Sequence, residues 1–86
     1  MRLEEEQRIK DYLFGKKLAS LREMLGVSKI ALAQRLGMEA ADISAVEGGT
    51  RRLSATELPR YAHALGFDTA ILCAVIDEVE RTWREG

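Results

Sequence analysis

Residues 28–49 read SKIALAQRLGMEAADISAVEGG, and this stretch decides the fold. Ser28 suits a helix N-cap, because its hydroxyl can take one of the free amides of the first turn. The helix it starts runs to about Leu36, with Ala33 as the small residue near its middle, and Gly37 ends it. A second short helix spans Glu39 to Glu47. It turns Ile43 and Val46 inward, and Gly48 and Gly49 stop it. Two helices of about eight residues joined at a single glycine form a helix-turn-helix plan. The steric needs of that plan are met: Ala33 is small where the helices approach, and Gly37 permits the turn.

Upstream, Phe14, Leu18, Leu21 and Leu25 are spaced four, three and four apart, which makes one apolar helical face ended by Gly26. Ile9 and Leu13 extend a similar pattern towards the start. A helical extension over residues 1–13 is expected, with Gly15 as a possible interruption costing about 1 kcal/mol relative to Ala. Downstream, a polar loop covers Thr50 to Leu53. Ser54 and Glu57 have capping-box spacing, while Thr56 is the alternative cap that places Pro59 in the first turn. Leu58, Tyr61, Ala62 and Leu65 then face inward. Gly66 closes that helix, and Asp68 caps a last one running to about Trp83.

These elements fit one all-α domain. The 86 residues are enough for a small core and too few for a large cleft, which argues against an enzyme of ordinary size. The composition, 47% hydrophobic and 31% charged, is that of a folded chain. The net charge of -1 means that any nucleic-acid function must rest on local charge. Residues 61–86 are the acidic part of the chain. The single cysteine, Cys73, excludes an internal disulfide and reads as a small buried hydrophobe within an apolar run. His63 has no second ligand residue at metal spacing, so no metal site, catalytic set or cofactor is expected. Without a signal peptide or an apolar stretch of membrane-spanning length, a cytoplasmic setting is expected.

The segment from about Phe14 to Phe67 resembles the lambda-repressor/Cro-like helix-turn-helix domains. The resemblance rests on an ordered set without insertion: Phe14 to Leu18, Leu21 to Glu23, Val27 to Lys29, Leu32 to Gly37, Ile43 and Ser44, Val46 to Gly49, and Ala62 to Gly66. It implies a compact five-helix domain over residues 14–67, flanked by the extension at 1–13 and a C-terminal helix at 68–86. It also implies that the second helix of the motif enters the major groove of double-stranded DNA. Carried over residue by residue, Lys29 would sit by a phosphate. Ala40, Ala41, Asp42, Ser44 and Ala45 would face the bases, and Thr50, Arg51 and Arg52 would meet the backbone. Arg22 and Glu47 fall where members often hold a buried ion pair. Many members are dimeric repressors.

The row Glu39, Ala40, Ala41, Asp42, Ser44, Ala45 departs from the family pattern. It holds no Arg or Lys for guanine and no Asn or Gln for adenine. Alanines can touch thymine methyls, and Asp42 can accept from cytosine. Gly48 stands where an Asn is usual. Arg35 reads as solvated. Ile71, Leu72, Val75, Ile76, Val79 and Trp83 form a wide apolar stripe on the last helix. It is expected to be partly exposed and to form a homodimer interface, or else to pack against the N-terminal extension. Two functional classes follow: a dimeric DNA-binding repressor, and a protein-interaction module, antitoxin-like in one form, that keeps the fold with little DNA affinity.

Overall fold

The computed structural model describes residues 2–85. Five helices follow in order: α1 (Arg2–Met24), α2 (Lys29–Leu36), α3 (Ala40–Glu47), α4 (Glu57–Ala64) and α5 (Thr69–Glu85). Among the described residues there is no strand. α1 packs on α3 and α5, α2 on α3 and α4, and α4 on α5. The core forms where the inward faces converge, on Leu18, Leu32, Leu36, Ile43, Tyr61 and Leu72.

The local signals at the helix ends do what their chemistry dictates. Ser28 accepts the amide of Ala31 at 3.0 Å and starts α2. Gly37 takes the left-handed conformation that ends it, φ 68°. At α3 the side chain of Asp42 reaches back to the Glu39 amide at 3.0 Å. The two readings of the α4 start are both partly right. The reciprocal cap is made by Ser54 and Glu57: the Ser54 amide donates to Glu57 Oε1 at 2.9 Å, and the Glu57 amide to Ser54 Oγ at 3.1 Å. The regular helix nevertheless begins after Thr56, so Pro59 falls in the first turn, where its missing N–H costs nothing.

The extension and the first helix are one element, because α1 runs through residue 13 unbroken. Gly15 is buried inside it and does not interrupt it. A side chain at Gly15 would place Cβ at 2.5 Å from the Glu47 carbonyl oxygen and 2.6 Å from that of Val46. The glycine is therefore there for close approach of α1 to the end of α3.

The N-terminal half of α1 lies against α5. Lys10 donates to Glu80 at 2.9 Å, pairs with Glu6 at 3.1 Å, and sits over the ring of Trp83; Lys17 pairs with Glu78 at 3.1 Å. The two acids hold the Lys10 ammonium above its ordinary value, chiefly through the hydrogen bond to Glu80. This splits the expected interface stripe. Leu72 and Val79 are buried within the protomer and cannot face a partner, and Val75 and Trp83 are half-buried. Ile71 and Ile76 remain exposed. Cys73 is exposed as well, contrary to its expected burial, because the inward positions of α5 are Leu72 and Val79 and Cys73 lies off that line.

Arg22 and Glu47 form the implied buried pair, in two-pronged geometry at 2.6 and 3.1 Å. Arg22 also donates to the Val27 carbonyl at 2.8 Å, so one guanidinium ties α1, the α1–α2 turn and the end of α3. The hydrogen bond to the Glu47 carboxylate is the main cause that raises the Arg22 pKa further.

Gly15→Ala should lower stability by about 2 kcal/mol or more despite the better helix propensity of Ala, because the obstacle is backbone; the urea midpoint reads this directly. Arg22→Met alone should cost about 3–5 kcal/mol, since it strands a buried carboxylate, whereas Arg22→Met with Glu47→Leu should recover most of the loss. Thermal unfolding of both variants checks the contrast.

Candidate nucleic-acid interface

The α2–α3 pair is set by its turn. The Gly37 amide donates to Gln34 O at 3.3 Å and the Met38 amide to Ala33 O at 2.9 Å. Ala33 is buried at the crossing, with Ile43 and Val46 pressed inward from α3. The opposite side of α3 is left outward. Ala41 and Ser44 are exposed there, and Ala40, Asp42 and Ala45 are half-buried. This face is small-residued, so the backbone of α3 can lie close to a surface laid against it.

The polar residues around this face are already engaged inside the protein. Lys29 Nζ donates to Ser44 Oγ at 3.1 Å, which bridges the start of α2 to the middle of α3. One carboxylate oxygen of Asp42 is used in the turn into α3, leaving the other as an acceptor. The Thr50 hydroxyl donates to Ala45 O at 3.2 Å, and the Thr50 and Arg51 amides donate to the same carbonyl at 2.9 and 3.2 Å. Thr50 thus closes the C-terminus of α3.

Both loop arginines have acidic partners. Arg51 Nη2 meets Glu57 at 2.9 Å, and Arg52 Nε meets Asp11 of α1 at 2.8 Å. Asp11 also accepts from Gln7 at 3.0 Å. Arg52 keeps 68% of its side-chain surface in solvent, against 33% for Arg51. A phosphate would therefore find Arg52 the more accessible of the two. The Glu57 carboxyl is held below the usual carboxylate range, first by the Ser54 amide and then by Arg51, and Arg51 is raised in turn.

Of the nine residues expected at the DNA face, Ala40, Ala41, Asp42, Ser44 and Ala45 lie on α3, Thr50, Arg51 and Arg52 lie in the loop that leaves it, and Lys29 lies at the start of α2, bonded across to Ser44. What sequence reasoning missed is the internal partner of each cation. Arg35 is not merely solvated. It donates to the Ala64 carbonyl at the end of α4 at 2.8 Å, while Arg60 of α4 donates to the Leu36 carbonyl at the end of α2 at 2.9 Å. Each helix supplies an arginine to the open carbonyl end of the other. No local signal marks such a swap.

A family model described as a helix-turn-helix domain matches residues 13–72. No curated protein matches the chain. Among solved structures, the restriction-modification controller protein C.AhdI from Aeromonas hydrophila is similar, with 31% sequence identity and a TM-score of 0.67. The match covers 71% of this chain and 92% of that one.

The depressed Glu57 group contributes stability that is present above its ordinary value of 4.5 and is lost as the pH falls through the lower folded value. Glu57→Gln should therefore be less stable than the wild type at neutral pH, and the two thermal midpoints should converge on acidification below about pH 4. A constant gap across that range would mean that Glu57 acts only through its shape.

Proposed function

The chain belongs to the helix-turn-helix domain family, and from that premise we propose that it is a DNA-binding transcriptional regulator, a repressor that holds operator DNA as a homodimer. The observation that carries this reading is the outward face of α3, flanked by Lys29 on one side and the Thr50–Arg52 loop on the other. The likeness to a restriction-modification controller protein supports a regulatory role.

In this reading α3 enters the major groove. Ala40, Ala41 and Ala45 touch base edges through methyl groups, and Asp42 and Ser44 offer the polar contacts. Lys29, Thr50, Arg51 and Arg52 meet phosphates and fix the register. With so few bidentate groups, discrimination comes largely from how readily the duplex takes the required shape. One protomer has few phosphate contacts, and pairing two through the exposed Ile71 and Ile76 edge of α5 doubles them. Half-sites then lie about 34–36 Å apart. Repression follows from occupying the site, and the setting is the cytoplasm alongside the DNA.

A protein-interaction module is the second reading. One observation favours it: Lys29, Arg51 and Arg52 each bond within the chain.

Selection from random-sequence duplex DNA, with a salt titration, decides between them. Enrichment of a two-fold symmetric site with steeply salt-dependent affinity is expected. Arg52→Ala should weaken binding to every sequence alike and reduce the salt slope of a dimer by about 1.8, two contacts at about 0.9 each. No enrichment and no salt-sensitive binding at micromolar protein would overturn the DNA reading.

A further inference from the structure

Between the N-terminal half of α1, the α3–α4 loop and α5 lies a cleft of about 230 Å3. Its floor is apolar, from Phe14, Leu53, Leu58 and Val79, and its rim carries Lys10, Asp11, Arg51, Arg52 and Glu80. We propose that this cleft is an effector site for a small carboxylate with one apolar ring or branched chain, and that such a ligand and DNA phosphate compete for the two loop arginines. The competition rests on the DNA reading above; the binding site does not.

The chemistry of the rim selects an anion. A guanidinium presents five N–H donors. Arg52 uses Nε for Asp11. Arg51 uses Nη2 for Glu57 and its Nη1 is closed off from the cleft, so Arg51 lends charge, while the more exposed Arg52 supplies the open donors of the fork. The carboxylates of the rim are already bonded: Asp11 accepts from Gln7 and Arg52, and Glu80 from Lys10. Donors are thus in surplus, and a planar carboxylate matches an arginine fork in two-pronged fashion. The lining holds three cations, Lys10, Arg51 and Arg52, against two carboxylates, Asp11 and Glu80, which leaves it net positive.

Size and polarity set the rest of the ligand. The volume is about one and a half times the ~150 Å3 of an apolar cavity that takes up benzene. It falls below the ~300 Å3 at which sites for drug-sized molecules begin. One ring or branched chain fits on the Phe14, Leu53 and Val79 floor, with its acid group at the arginines.

The position of the cleft gives the ligand its consequence. Arg51 and Arg52 line it and also belong to the loop that follows α3. A carboxylate bound there neutralises charge that a phosphate would use, and by linkage DNA lowers the affinity for the carboxylate by the same factor.

Phenylacetate and 4-methylvalerate are the probes, with phenylacetamide as the uncharged match, titrated into 15N-labelled protein. Saturating amide shifts at Leu53, Ser54 and Val79 are expected at about millimolar carboxylate, with the amide at least about tenfold weaker. Ala55→Trp, at an exposed lining position, should abolish the shifts while leaving a folded spectrum. Equal binding of acid and amide overturns the proposal, as does an absence of saturation. Shifts that follow protein concentration and not probe mark a second copy in the cleft and overturn it too. In a separate DNA-binding assay, phenylacetate should weaken binding several-fold for the wild type and leave Ala55→Trp unchanged. Probe binding without that effect, or a protein that binds no DNA, overturns the competition while the site stands on the titration.

Discussion

Where α1 passes the end of α3, two backbones meet with no side chain between them. Gly15 allows α1 to rest on the carbonyls of Val46 and Glu47, and Gly49 does the same against the backbone of Tyr12. Two turns further along α1, Arg22 takes the Glu47 carboxylate in two bonds and the Val27 carbonyl in a third. Glycine contact and ion pair together fix the end of α3, and with it the Thr50–Arg52 loop. The pair is not chiefly a source of net stability, since the cost of burying two charges offsets most of their attraction. Its value is directional: a buried fork is satisfied in one arrangement only.

Much of this fold was legible because its signals are local. Ser28, Gly37, Gly26 and Gly66 act through their own turns, and the ordered set from Phe14 to Phe67 falls within the 13–72 match. The misreadings share one cause, which is that the partner is distant in sequence. Gly15 reads as a helix breaker until α3 is seen against it. Arg35 reads as solvated until the carbonyl of Ala64, 29 residues away, is found beside it. The α5 stripe has the right period, but periodicity does not say whether a helix faces its own chain or another. Leu72 and Val79 face their own, and Ile71 and Ile76 do not.

The candidate site was legible as positions and not as states. The residues of the motif fall where the spacing puts them. Their engagement could not be read, because Asp11 lies 41 residues from Arg52 and belongs to a segment that the motif does not include. The overall charge of -1 acquires a physical meaning here. Acids are placed beside both loop arginines, so a phosphate arriving there meets a bound carboxylate as well as water.

The backbone contact at Gly15 has a mechanical side. Most helix pairs are separated by a layer of side chains, which can change rotamer and let one element tilt a little on the other. That layer is missing where Gly15 of α1 meets the end of α3, and the long α1 is fastened to α5 by Lys10 and Lys17. The outward helix is thus mounted without a cushion. It presents one fixed curvature and one fixed tilt, and accommodation to it falls on whatever is pressed against it.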